Sequence, residues 1–71
     1  MNEKMIYTIW LNGKEFGLGH SPINRFNKLA MIAFANSVFN RDDRIESVVV
    51  EEFYYYMPNV PGKIIFELMR G

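Results

Sequence analysis

The sequence predicts a small two-layer α+β domain of order ββαββ, with antiparallel hairpins forming one sheet and a single helix packed across one face of it. Three observations carry this reading. An alternating apolar pattern flanks Asn12-Gly13, a stretch of helical period opens at Ser21-Pro22, and two β-branched and aromatic segments are joined by Pro58-Asn59-Val60-Pro61-Gly62. At 71 residues the chain is one domain, residues 1–71.

Residues 5–11 alternate, and Asn-Gly is the pair that best tolerates the two positive φ angles of a type I′ turn. A two-residue turn sets Leu11 opposite Lys14, Ile9 opposite Phe16 and Tyr7 opposite Leu18. Tyr7, Ile9, Leu11, Phe16 and Leu18 then form the core face, with Ile6, Thr8 and Trp10 on the other. The helix is expected over residues 21–40, with Ser21 as N-cap and Pro22 at the first helical position, where its missing N–H costs nothing. Wound at 100° per residue, Ile23, Phe26, Ala30, Ala33, Phe34 and Ser37 form one stripe, expected to face the sheet. Met31, Ile32, Ala35 and Phe39 fall on the opposite side, a surplus that suggests a partner.

The polar run Arg41-Asp42-Asp43-Arg44 ends the helix. Residues 45–57 are long for one strand, and their apolar parity changes at Glu51-Glu52: Val48 and Val50 share one face, Phe53, Tyr55 and Met57 the other. A β-bulge there, or an extension beyond the sheet, reconciles the phases. In the last strand, residues 63–69, Ile64, Phe66 and Leu68 share one face and Ile65, Glu67 and Met69 the other. The uncovered sheet face is therefore expected to carry Ile6, Trp10, Ile65, Met69 and part of Tyr54-Tyr55-Tyr56, more apolar surface than solvent alone accounts for.

A chain this short buries only about 60% of its unfolded surface and needs a staple. With no Cys and one His, disulfides are excluded and a closed zinc site nearly so, which leaves self-association, a homodimer. Eight acidic and eight basic residues give zero formal charge, so no long-range field steers the chain to phosphate or membrane. No apolar run approaches the ~20 residues of a membrane span. The lack of Cys and the polar N-terminus leading into a strand pattern fit the cytoplasm. The 33 residues of Phe, Tyr, Met, Ile, Asn and Lys, against 15 of Gly, Ala, Arg and Pro, reflect AT-rich codons and suggest a low-GC bacterium or its phage.

No constellation names a reaction. His20-Ser21 resembles a base and nucleophile only in composition, because adjacent side chains rarely meet one substrate and Ser21 is better used as a cap. Gly17-Leu18-Gly19 lacks the lysine and third glycine of phosphate-binding loops. Glu51 and Glu52 alternate faces and cannot jointly hold a metal unless a bulge twists them together. The residues therefore suggest a non-enzymatic interaction module with no cofactor or metal, an inhibitor or modulator that blocks a host or defence protein. It would bind through Trp10, Tyr54, Tyr56 and Ile65 on the sheet and Met31, Ile32 and Phe39 on the helix. The alternative is a single-stranded nucleic-acid or nucleotide binder that uses the same aromatics with Arg25, Lys28 and Arg44.

Overall fold

A computed structural model describes residues 4–16, 24–57 and 59–71. Its elements are β1 (Met5–Leu11), β2 (Lys14–Glu15), α1 (Lys28–Arg41), β3 (Ser47–Tyr54) and β4 (Lys63–Met69). They form one antiparallel sheet of order β2-β1-β3-β4, with α1 across one face, the two-layer α+β domain expected. The expected pairing of Tyr7 with Leu18 lies outside the described residues, as do Gly17, Gly19, His20, Ser21, Pro22, Ile23 and Pro58.

The first hairpin is as expected. Leu11 pairs with Lys14 and Trp10 with Glu15, and the Phe16 N–H donates to the Ile9 carbonyl at 2.8 Å. Asn12 and Gly13 have φ of 53° and 80°, as a type I′ turn requires. The Asn12 side chain also organises the approach to β3: its Oδ1 accepts from the N–H groups of Glu46 (2.7 Å) and Ser47 (3.2 Å), and its Nδ2 donates to the Arg44 carbonyl.

The helix begins later than Ser21-Pro22 suggests. Asn27 is the N-cap, with Oδ1 accepting from the Ala30 N–H at 3.0 Å. Asn24 and Arg25 precede it in a turn, in which Asn24 Oδ1 accepts from the Phe26 N–H. Phe26 is therefore not helical, and a stripe drawn through it points the wrong way. Met31 and Ala35, one turn apart, are the fully buried residues of α1, and Phe34 and Phe39 pack against the same core. Met31, Ala35 and Phe39 are thus core residues and not an outer partner-binding face; Ala33 is exposed and Ile32 half-buried.

The core consists of Tyr7 and Ile9 from β1, Val48 and Val50 from β3, and Met31 and Ala35. Fully burying one such large apolar side chain contributes about 1.5–3 kcal/mol. The β1 and β3 register is regular from Met5↔Tyr54 to Leu11↔Val48, so β3 itself needs no bulge to place Phe53 on the face opposite that of Val48 and Val50. The bulge expected at Glu51-Glu52 is not in β3; the irregularity lies one step earlier, between Val50 and Glu51, and the extra residue belongs to β4: Val50 pairs with Phe66 and Glu51 with Ile64, leaving Ile65 between them. Ile65 consequently packs on the helix-side core, and Ile64 takes the open face in its place. Gly62 leads into β4 where a Cβ would come within 2.7 Å of Glu51 Cγ and 2.8 Å of the Glu52 carbonyl.

At the other end Arg70 ties the chain to the helix C-terminus. Its guanidinium donates to the carbonyls of Phe39, Asp42 (3.2 Å) and Ile45 (2.9 Å) and lies 4.1 Å from the Phe39 ring centroid. A cation there also complements the helix dipole.

Replacing Met31 with Ala should cost about 2–5 kcal/mol in urea unfolding, the range for a fully buried side chain, whereas a surface Met would cost little. Asn12→Gly should destabilise by roughly 1 kcal/mol through loss of the Glu46 and Ser47 clamps, and Asn12→Ala by about 1 kcal/mol more, because alanine also bears the left-handed backbone strain.

Candidate functional site

The helix covers the side of the sheet that carries Tyr7, Ile9, Val48 and Val50. Strand alternation then places Ile6, Thr8 and Trp10 of β1 on the other side. Cross-strand pairing adds Phe53, Glu51 and Val49 of β3 beside them, and Ile64, Glu67 and Met69 of β4 beyond. Among the described residues no element packs over this face. Ile64 and Met69 are 50% and 70% exposed.

The Trp10 indole and the Thr8 hydroxyl are paired within the face. Trp10 Nε1 donates to Glu51 Oε1 at 3.0 Å, a diagonal cross-strand contact that holds the indole down along the sheet. Glu52 points to the opposite side, where its Oε2 accepts from the Tyr7 hydroxyl at 2.9 Å. The two adjacent carboxylates therefore serve different faces, each occupied by an aromatic donor. Burial of Tyr7, followed by its bond to Glu52 and the charge there, pushes the phenol up to about 12 from its ordinary value of 10.0.

Thr8 is buried although it lies on the open face, because Arg25 covers it. Beyond Phe16, the free edge of β1 is occupied by the segment before α1: the Tyr7 N–H donates to the Arg25 carbonyl at 3.0 Å. From there the Arg25 side chain crosses to the open face, where Nε donates to the Tyr7 carbonyl at 3.3 Å and Nη2 to Thr8 Oγ1 at 3.2 Å. The result is a cleft of about 320 Å³ lined by Ile6, Thr8, Arg25, Phe53, Tyr54 and Tyr55. An aromatic rim adjoins it. Tyr55 meets Phe26 at 5.5 Å and Tyr56 at 5.3 Å, both edge-on, and Lys4 Nζ stands 4.3 Å from the Phe26 ring centroid and 5.1 Å from that of Tyr55.

Of the residues singled out from the sequence, Trp10 lies on the open face, Tyr54 at the cleft wall and Tyr56 on its rim, 69% exposed. Tyr55 and Tyr56 turn away after β3 ends, so strict strand alternation does not govern them. The basic trio does not converge. Arg25 enters the cleft, Lys28 is exposed on the first turn of α1, and Arg44 sits past the far end of the helix, bonded to Asp42 at 3.0 Å. That bond holds the Asp42 carboxyl below its ordinary value. Phe53, Thr8, Phe26 and Lys4 also belong to the site, although sequence reasoning assigns them no binding role. The place of Phe53 is legible in the parity of residues 48–57, but the packing of Phe26 on Tyr55 depends on where the helix begins.

No helix among the described residues is long and apolar enough to cross a membrane.

Because the Tyr7 phenol ionises at higher pH folded than unfolded, the folded state holds the extra proton between about pH 10 and 12. Its stabilising contribution is complete below pH 10 and is lost as pH rises towards 12. Urea unfolding from pH 9 upwards should therefore show a fall in stability that is shallower in Tyr7→Phe.

Comparison of the chain with protein-family models, curated proteins and solved structures finds no match, so any functional reading stands on the geometry of the open face.

Proposed function

We propose that this chain is a non-enzymatic protein-interaction module that works by occupying a surface of a partner protein with the open face of its sheet. The observation that carries the reading is the run of Ile6, Trp10, Val49, Phe53, Ile64 and Met69 on a face with no covering layer among the described residues. A strand the length of β1 or β4 is about 23 Å long and four strands are about 19 Å across. That footprint alone is smaller than the ~800 Å² a standard interface takes from each partner, so the rim of Phe26, Tyr55 and Tyr56 belongs to the contact. Trp10, half-buried and held by Glu51, is the preorganised anchor; large aromatics in such positions carry much of the energy in protein interfaces.

In this reading the module is a cytoplasmic inhibitor or modulator from a low-GC bacterium or its phage, and without its partner the same face pairs with a second copy. Charge favours protein over nucleic acid. The open face holds Glu51 and Glu67 against Arg25, and phosphate binding needs a stripe of cations.

Pull-down from a low-GC host lysate should capture one dominant protein that survives nuclease treatment. Trp10→Ala should weaken that capture by at least about 30-fold, equivalent to ~2 kcal/mol, while the variant stays folded. In sedimentation, the wild type should shift from dimer to monomer on the same substitution. Capture abolished by nuclease, or a Trp10→Ala variant that unfolds, would remove this reading.

A further inference from the structure

We propose that the cleft beside Arg25 receives a carboxylate carried next to an aromatic or branched apolar side chain of the partner protein, with the Arg25 guanidinium as the group that binds it. This rests on the protein-binding reading above and names the chemistry of the segment that occupies the face.

Arg25 is held in place through both its backbone and its side chain. Its carbonyl accepts from the Tyr7 N–H, and its side chain donates to the Tyr7 carbonyl and to Thr8 Oγ1. Those two side-chain contacts use part of a guanidinium that has five N–H donors in a fixed fork. They fix its orientation without neutralising it. Among the described residues no carboxylate comes within ion-pair distance of Arg25: Asp42 is taken by Arg44, Glu51 by the Trp10 indole and Glu52 by the Tyr7 hydroxyl. A cation set against Ile6, Phe53 and Tyr54 is less well solvated than one in open water, so a carboxylate that meets it in the same fork geometry gains more there than at an open surface.

Size and surrounding charge narrow the class. At about 320 Å³ the cleft is at the low end of the roughly 300–1,000 Å³ that small-molecule sites occupy, room for one large side chain and its neighbouring acid. The walls of Phe53, Tyr54 and Tyr55 suit an aromatic or branched body. The second cation beside the cleft, Lys4, is engaged over the Phe26 and Tyr55 rings, and Glu51 stands directly across from Thr8 on the neighbouring strand. One available guanidinium near a carboxylate matches a single negative charge and disfavours a phosphate dianion or a polyanion. The cleft also opens onto the apolar face through Ile6 and Phe53, so a segment anchored at Trp10 continues into it.

The test is an NMR titration of the full chain, labelled with ¹⁵N, against N-acetylphenylalanine, its neutral amide and adenosine monophosphate. The acid should give saturable shifts at the Thr8 and Phe53 amides and at Arg25 Nε, and the amide should bind at least tenfold more weakly. Arg25→Gln should abolish the acid's shifts. Arg25→Lys, which keeps the charge and loses the fork, should weaken binding several-fold, and it decides the matter together with the acid-to-amide ratio if the glutamine variant does not fold. Equal binding of acid and amide, tighter binding of the nucleotide, or no shift up to about 20 mM acid overturns the proposal. Partner capture through Trp10 is measured separately, so a captured protein with no carboxylate preference in the cleft removes this inference and leaves the interaction module standing.

Discussion

The contact of Met31 and Ala35 with Ile9, Val48 and Val50 is the interaction on which the rest of this structure depends. Alanine at position 35 lets the helix approach the sheet closely, and the unbranched Met31 fills the irregular space one turn earlier. These residues lie over the two central strands, so one helix of 14 residues closes the middle of one sheet face. Nothing remains among the described residues to close the other. The open face is thus a consequence of how a short chain uses its helix, and its apolar residues are what the core could not absorb.

The sheet's edges are handled by side chains that each do two things. The second strand is only two residues long, so β1 would leave a backbone donor unpaired beyond Ile9 if Arg25 did not supply a carbonyl to Tyr7. The same residue then carries its guanidinium round to the open face. Asn12 both adopts the left-handed turn conformation and binds the chain entering β3. Arg70 donates its backbone N–H to the Glu46 carbonyl just past the end of β4, and its side chain caps the carbonyls at the end of α1. In a domain with so small a core, these polar ties join loops to strands where apolar packing is thin, and they help a single helix to order four strands.

The strands are legible in the sequence because their signals are local. Asn12-Gly13 dictates a turn whatever surrounds it, and alternation assigns Tyr7 and Ile9 to the core and Trp10 to the open face correctly. The helix face is not legible, because Ser21-Pro22 and Asn27 are both good caps and periodicity alone does not choose between them. A stripe that starts at Ile23 and Phe26 is rotated away from Met31 and Ala35. The parity change at Glu51-Glu52 needs no bulge in β3, where plain alternation accounts for it, and the irregularity beside it in β4 is fixed only by the pairing of Phe66 with Val50 and of Ile64 with Glu51, which leaves Ile65 extra. The cleft is beyond reach altogether, because it joins Arg25 to Thr8 across 17 residues of chain through contacts that no spacing encodes.

In the proposed reading, the distribution of polar groups over the open face would separate what holds a partner from what orients it. The Trp10 N–H is satisfied by Glu51 and the Thr8 hydroxyl by Arg25, so neither is stranded under a covering layer, whereas the Glu51 carboxylate keeps its charge. In the proposed reading, affinity would come from the apolar rows and the indole, and covering Glu51 would carry a desolvation cost. Arg25 carries the opposite charge. Its hydrogen bonds fix its position without cancelling its charge, so covering it with an apolar surface is costly and covering it with a carboxylate is favourable. The apolar face alone would accept many surfaces in many orientations; on the proposal made above, the guanidinium at its end would penalise those that bring no acid to that point. If the proposal holds, specificity on this sheet would be set by a charged group that the fold orients but does not neutralise among its described residues.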